Sequence, residues 1–308
     1  EYDALPEVGH GCGHNLIAAM SMGAAIGLKS VLDQIGGKII VYGTPAEETS
    51  GVKGVFADQG AFDGLTVAMM AHPSPAYEDS GSSLALNAYR FQYFGKTAHA
   101  AFQPELGINA LDSVIQLFNG VNALRQHVKS DVRIHGIISK GGVAPNIVPD
   151  FAEALFYIRA EQKEYLEEVV AKVLEVASGA ARMTGATLKY DKFENAYDNM
   201  KTNQVLSSLF HDHLLDLGVT EIRPAGKGMG SIDMGNVSYS VPAIHPWVGV
   251  GDETKILHSR EFAQHTLSQL SKDTLLTGAT ALALTGFQVL ASKELQEKIW
   301  AEFQATQS

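Results

Sequence analysis

The chain has 308 residues, 45% of them hydrophobic, enough to bury a sizeable core and to suggest about two domains. Its 23 lysines and arginines against 34 aspartates and glutamates leave a formal charge of −11, which disfavours nucleic acid and anionic membranes as partners. The single cysteine excludes an intrachain disulfide and fits a reducing compartment, so a cytoplasmic location is expected.

Residues 1–14 read as a glycine-rich loop without periodicity. Within it, Gly9-His10-Gly11-Cys12-Gly13-His14-Asn15 sets the cysteine two residues before a histidine. Thiolate and imidazole are ligands for zinc-like ions, and flanking glycines let the backbone turn so that both side chains face one spot. A lone buried cysteine is more often a small hydrophobe than a ligand, so the reading depends on further ligands downstream. Asn15 is placed as the N-cap of a helix over residues 16–35, stopped by Gly36-Gly37. Lys38-Ile39-Ile40-Val41-Tyr42-Gly43 is a short β-branched run, expected as a strand buried on both faces. Thr44-Pro45-Ala46-Glu47-Glu48 follows as a loop, residues 52–60 as a short helix, and residues 65–71 as a second buried strand ending at His72-Pro73. This rhythm implies a parallel sheet with right-handed crossovers, whose ligands gather beyond the carboxyl ends of the strands. Glu47, Glu48 and His72 fall there, and Cys12 and His14 lie just before a helix.

From Leu84 the pattern changes. Residues 84–94 alternate like a half-exposed strand, 109–129 form an amphipathic helix, 132–139 and 150–160 read as strands, 164–183 as a helix and 187–193 as a strand. That β-α-β-β-α-β order is the ferredoxin-like pattern. The expected organisation is a catalytic domain over residues 1–84 and 199–308, with an inserted domain at 85–198. After Asn199 a helix is expected at 203–217, and three helices over 259–270, 272–290 and 293–304 close the chain. Residues 275–290 are broken by Thr and Gly and read as a buried helix rather than a membrane span. The glycine run from Gly226 to Ser231 lacks the strand and helix context of a phosphate loop, and no Gly-x-Ser-x-Gly is present for a serine hydrolase.

Glu47-Glu48 would be unremarkable on a solvated surface. Behind Pro45 and a buried strand, one carboxylate can bind a metal while its neighbour takes a proton. His72 reads as a core histidine or strand cap as readily as a ligand. These stretches, with Glu1-Tyr2-Asp3-Ala4-Leu5-Pro6, Met70-Ala71-His72-Pro73, Gly95-Lys96-Thr97-Ala98-His99-Ala100 and Gly141-Gly142-Val143-Ala144-Pro145-Asn146-Ile147-Val148-Pro149-Asp150, resemble the amidohydrolase branch of metallopeptidase family M-twenty. That branch includes aminoacylases, aminobenzoyl-glutamate hydrolase and β-alanyl-lysine dipeptidase-like proteins, and the resemblance covers essentially the whole chain.

The resemblance implies an α/β, di-zinc exopeptidase-like catalytic domain with a mostly parallel sheet and flanking helices. An inserted α+β ferredoxin-like domain would pair two copies edge to edge. It also implies two divalent ions, zinc or manganese, held by Cys12 (bridging), His14, Glu48 and His72, with Glu47 as general base and Asp3 orienting the site. The last ligand comes from the C-terminal part, where His258 at a helix start is favoured over His245 and His265. His99 matches a residue lent to the partner's site for the oxyanion, and Asn146 matches one that binds substrate. Arg159 suits either a substrate carboxylate or a surface salt bridge. Gly230 and Ser231 occupy the place of a substrate-lining loop. The implied reaction is amide hydrolysis by metal-activated water on N-acyl amino acids or dipeptide-like substrates with a free carboxylate. The relatives also imply a segment preceding Glu1, without which the sheet has a raw edge. The alternative is a catalytically weak or inactive family member serving as a binding or structural dimer, and metal content separates the two.

Overall fold

The computed structural model describes residues 9–226 and 230–307, so Asp3, Gly228 and their neighbours lie outside the described residues. The chain divides into two units, one made of Glu1–Ser83 with Met200–Ser308 and one of Leu84–Asn199. In chain order the first unit opens with α1 (His14–Lys29), α2 (Leu32–Ile35), α3 (Val52–Asp58), β1 (Ala68–Met69) and β2 (His72–Ser74). The second unit holds β3 (Ala85–Phe94), α4 (Ala110–Leu124), β4 (Arg133–Lys140), β5 (Phe151–Ala160), α5 (Lys163–Thr184) and β6 (Thr187–Lys192). The first unit then resumes with α6 (Gln204–Asp216), α7 (Met234–Val237), β7 (Ala243–Ile244), β8 (Trp247–Gly249), α8 (Arg260–His265), α9 (Gln269–Ala291) and α10 (Lys293–Gln307).

In the first unit, α1 buries Leu16, Met20, Ala24 and Leu28, one residue per turn, against α9. The approach is close because α9 offers glycines: a Cβ on Gly278 would stand 2.2 Å from Met20 Sδ. By length and composition α9 is apolar enough to cross a bilayer, and here Ala281, Leu282 and Val289 are buried in the core with α1 and α6. The helix expected as one piece over 16–35 breaks after Lys29 into α1 and α2. Its N-cap is Gly13 rather than Asn15. Gly13 takes the left-handed φ of 76° that turns the chain into the helix, and Asn15 in the first turn donates to Thr266 Oγ1 at 3.1 Å.

Two short parallel ladders pair β1 with β7 and β2 with β8. The run expected as one strand over 65–71 therefore supplies only β1, and His72 is the first residue of β2 rather than a residue beyond a strand end. Residues 38–43 join no ladder among the described residues, and Ile40 and Val41 are exposed. β-branched composition favours a strand, but a strand exists only with a neighbour to hydrogen-bond.

The second unit is a four-stranded antiparallel sheet in the order β4-β5-β3-β6. Helices α4 and α5 bring Val114, Leu117, Val121, Leu166, Val169 and Val173 onto Phe91, Tyr93, Phe156 and Ile158. Because β3 is paired on both edges and covered by α5, it is more buried than its alternating sequence suggests. Asn109 caps α4 by accepting from the Leu111 and Asp112 amides, and left-handed Gly185 ends α5.

Candidate metal centre

Gly13 brings the first donors together. Its φ is 76°, and a Cβ there would meet Pro73 Cγ at 2.7 Å and Phe262 Cε1 at 3.0 Å. Only a glycine lets the loop lie this closely over His72-Pro73. The result is a Cys12 Sγ 3.6 Å from His72 Nε2, both residues buried. His72 Nδ1 lies 2.7 Å from the Pro73 carbonyl, which accepts its N–H and so turns the Nε2 lone pair toward Cys12.

The remaining donors come from two strained turns. Ala46 (φ 62°) and His258 (φ 65°) are the two non-glycine residues with positive φ among the described residues. Such strain persists only where the surroundings enforce it and clusters at functional sites. After Ala46, the Ser50 and Gly51 amides return to its carbonyl at 2.9 and 2.8 Å, closing the turn that carries Glu47 and Glu48. At His258 the backbone N–H donates to the Gly11 carbonyl at 2.7 Å, tying it to the cysteine loop. His258 Nε2 then stands 3.1 Å from Cys12 Sγ and 3.1 Å from Glu48 Oε1. His14 Nε2 is 3.9 Å from Glu47 Oε2 and 3.7 Å from Glu48 Oε1.

Three donor sets overlap: Cys12, His14 and His72; Cys12, Glu48 and His258; His14, Glu47 and Glu48, the ligand atoms of each within 4.8 Å of one another. Donors around a tetrahedral ion with ligand bonds of 2.0–2.3 Å stand roughly 3.3–3.8 Å apart, so the spacing fits a metal. The chemistry fits as well: thiolate with imidazole suits zinc, and imidazole with carboxylate suits zinc or manganese. Cys12 is common to the first two sets and Glu48 to the last two, and thiolate and carboxylate are the donor types that can serve more than one ion.

Burial, with the neighbouring His245, lowers the His72 pKa to about 3, and burial with His72 lowers His14 to about 3. Both rings are neutral at pH 7, the form that binds a metal. The competing histidines are engaged elsewhere. His265 Nε2 lies 2.9 Å from the Val250 carbonyl, and His245 is buried with its ring 5.4 Å from that of His72 and 5.1 Å from Trp247. Neither enters a donor set among the described residues.

His99, Asn146 and Arg159 lie in the second unit. His99 pairs across a β-bridge with Ile147, and the Ala100 amide donates to the Asn146 carbonyl at 3.0 Å. Arg159 on β5 is half-buried over the Tyr157 ring at 5.6 Å. Gly230 and Ser231 precede α7, and near the other end of that loop the Gly226 amide already donates to Glu78 Oε1 at 2.7 Å. Sequence reasoning missed Lys53 and Asp233, a buried ion pair at 2.7 Å beside the centre. The available signal was a lone lysine inside the apolar Gly51-Val52-Lys53-Gly54-Val55-Phe56.

Residues 86–183 match the Peptidase dimerisation domain. The chain is 38% identical to the Xaa-Arg dipeptidase of Mus musculus over 310 residues, covering 98% of this chain and 72% of that protein. It is 35% identical over 219 residues to a p-aminobenzoyl-glutamate hydrolase polypeptide of Escherichia coli, covering 70% of this chain and 45% of that one. Among solved structures, a dinuclear metal-binding peptidase of the M20 family from Bacillus subtilis matches with a TM-score of 0.67 at 19% identity, covering 93% of this chain and 76% of that one, a likeness of fold. With this fold, this inserted domain and this identity along nearly its whole length, the chain belongs to the M20 metallopeptidase family.

Proposed function

We propose that this M20 hydrolase cleaves the amide bond of dipeptides or N-acyl amino acids that end in a free carboxylate. Its 38% identity to a mammalian Xaa-Arg dipeptidase favours dipeptides with a C-terminal arginine within that class. The observation that carries the reading is the overlap of three donor sets on Cys12, His14 and Glu48. Cys12, His14, Glu48, His72 and His258 would hold two divalent ions, zinc or manganese. Bound there, the ions supply Lewis-acid polarisation and a lowered water pKa.

Glu47 is the general base. Its side chain is 19% exposed, open enough to meet water, and Oε2 faces His14. It takes a proton from the attacking water and returns it to the leaving amine. The Ala101 amide lies 3.3 Å from His99 Nδ1 and donates to it, which leaves the proton on Nε2 and makes His99 a donor for the developing oxyanion. Asn146 and Arg159 contact the substrate, Gly230 and Ser231 its carboxylate, and Asp3 orients the donors. The inserted domain pairs two copies of the chain.

Purified protein is expected to hold about two ions per chain. Glu47→Gln should keep them while losing hydrolysis by at least about 100-fold. A variant that hydrolyses as fast as the parent removes Glu47 from its role. A parent chain without metal overturns the hydrolase reading in favour of a binding or structural dimer.

A further inference from the structure

Beside the donor sets, and in none of them, lies an ion pair withdrawn from solvent. Lys53 is 8% exposed and Asp233 1%. Lys53 Nζ donates to Asp233 Oδ1 at 2.7 Å, and the backbone N–H of Lys53 donates to Oδ2 at 3.2 Å. One carboxylate thus takes the ammonium of Lys53 together with a leading amide of α3, whose N-cap, Gly51, brings no side chain of its own. Burying a charge pair contributes little net stability, because desolvation offsets the attraction. Its distinguishing property is direction: two hydrogen bonds to one carboxylate fix where α3 stands relative to Asp233.

Each end of the pair belongs to a working segment. Glu48 lies five residues before Lys53, on a turn whose Ser50 and Gly51 amides both return to Ala46, so the turn and α3 are joined without slack. Ser231 lies two residues before Asp233, and α7 starts immediately after it with Met234 and Gly235 buried. Around the pair, Phe56 of α3, Phe62 just beyond it, and Met234 and Val237 of α7 belong to one apolar cluster. Such contacts are non-directional and tolerate sliding. The charge of Lys53 also reaches the donors: after burial and the neighbouring histidines, it adds to the lowering of the His14 and His72 pKa values.

We propose that Lys53 and Asp233 are positioning residues that hold the Glu47–Glu48 turn in register with the Gly230–Ser231 loop, so that the donor carboxylates and the loop that meets the substrate carboxylate are set as one unit. The consequence for turnover rests on the hydrolase reading above, whereas the consequence for metal binding does not.

The experiment uses the full chain, stripped of metal and titrated with cobalt(II), whose thiolate absorption reports on Cys12. It is run on the parent, Lys53→Met, Asp233→Asn and the double variant, in which no buried charge is left without its partner. Cobalt affinity is expected to fall about 10–100-fold in all three variants. KM for a dipeptide should rise at least about tenfold while KM for its C-terminal amide stays level, since the disturbed loop meets the carboxylate. Thermal unfolding should recover in the double variant although cobalt affinity and KM do not. A double variant that folds, binds cobalt and binds dipeptide like the parent reduces the pair to a structural contact and overturns the proposal. A parent that binds cobalt yet hydrolyses nothing overturns the hydrolase reading alone, and the cobalt comparison still decides for or against positioning. A parent that binds no cobalt overturns both.

Discussion

At the scale of single residues, the centre depends on one missing Cβ. Gly13→Ala would hold an alanine at φ 76° and drive its Cβ toward Pro73 Cγ at 2.7 Å and Phe262. The left-handed conformation alone costs about 1–2 kcal/mol for a non-glycine residue, and the clash displaces Cys12 from His72. We expect a loss of at least about 2 kcal/mol in urea unfolding together with weakened metal binding; an unchanged midpoint would mean that the loop rearranges freely. The buried histidines predict a pH dependence for the metal-free protein. His72 and His245 have folded pKa values of about 3 and about 4, against 6.5 unfolded. Between those limits the unfolded chain binds more protons than the folded one, so stability is full above pH 6.5 and falls as pH drops through the window. The slope is up to about 1.4 kcal/mol per pH unit for each ring. Melts in chelator at pH 7, 6 and 5 should decline in that order, and His245→Phe should reduce the slope; a flat series contradicts it. The candidate donors that the structure brings together were legible in the sequence because ligand chemistry belongs to residue types: thiol, imidazole and carboxylate announce themselves wherever they stand. Lys53 and Asp233 were not, because their pairing depends on a fold that joins positions 180 residues apart.

At the scale of elements, two glycines inside helices face opposite environments. Gly179 in α5 has open space where a Cβ would go, whereas at Gly278 in α9 the Cβ would stand 2.2 Å from Met20 Sδ. Alanine is the better helix former by about 1 kcal/mol. Gly179→Ala is therefore expected to stabilise by about 0.5–1 kcal/mol. At Gly278 the same gain meets an overpacking cost of about 1–3 kcal/mol, because α1 cannot recede without opening its contacts with α9, and the expected sign reverses. Equilibrium unfolding of both variants measures the contrast, and equal effects would show that the α1–α9 contact is loose. The same distinction governs what could be read beforehand. The helices of the inserted domain are amphipathic over 15 and 22 residues, and periodicity of that length is local information. Residues 38–43 have strand composition but no ladder among the described residues, and nothing within those residues states who their neighbour is. The single helix expected over 16–35 failed for a related reason: the break at Ser30-Val31 interrupts no apolar pattern, and only the φ of 74° at Gly36 ends α2 where a stop was expected.

For the whole molecule, the match to a dimerisation domain turns attention to the surfaces through which two copies would meet. Residues 86–183 match a dimerisation domain, and among the described residues its sheet has β4 and β6 at its edges. They are not equivalent. β6 carries Lys189, Asp191 and Lys192 along its short length, and charge on an edge is the usual guard against pairing. β4 carries charge only at its two ends, Arg133 and Lys140, and between them shows Ile137 and Ile138, 62% and 45% exposed, before a bulge at Ile138/Lys140. An edge of backbone hydrogen-bonding groups beside exposed isoleucines is the surface a second copy would cover, through a continued ladder and buried apolar area together. The net charge of −11 on each copy opposes association, so the contact must be strong enough to overcome a repulsion that salt screens. The full chain is therefore expected to sediment as a dimer that tightens as ionic strength rises from about 10 mM to 150 mM, as the Debye length contracts from about 30 Å to 8 Å. Ile137→Lys/Ile138→Lys places two charges on that edge in each copy and should yield monomers with unchanged circular dichroism and melting. Monomers of this variant that retain the metal but turn over dipeptide at least about 100-fold more slowly would support His99 serving the partner's site, because removing a donor to the oxyanion costs that much. Monomers with full activity would place every catalytic group within one chain, and a variant that still dimerises would move the contact to β6 or to the helices.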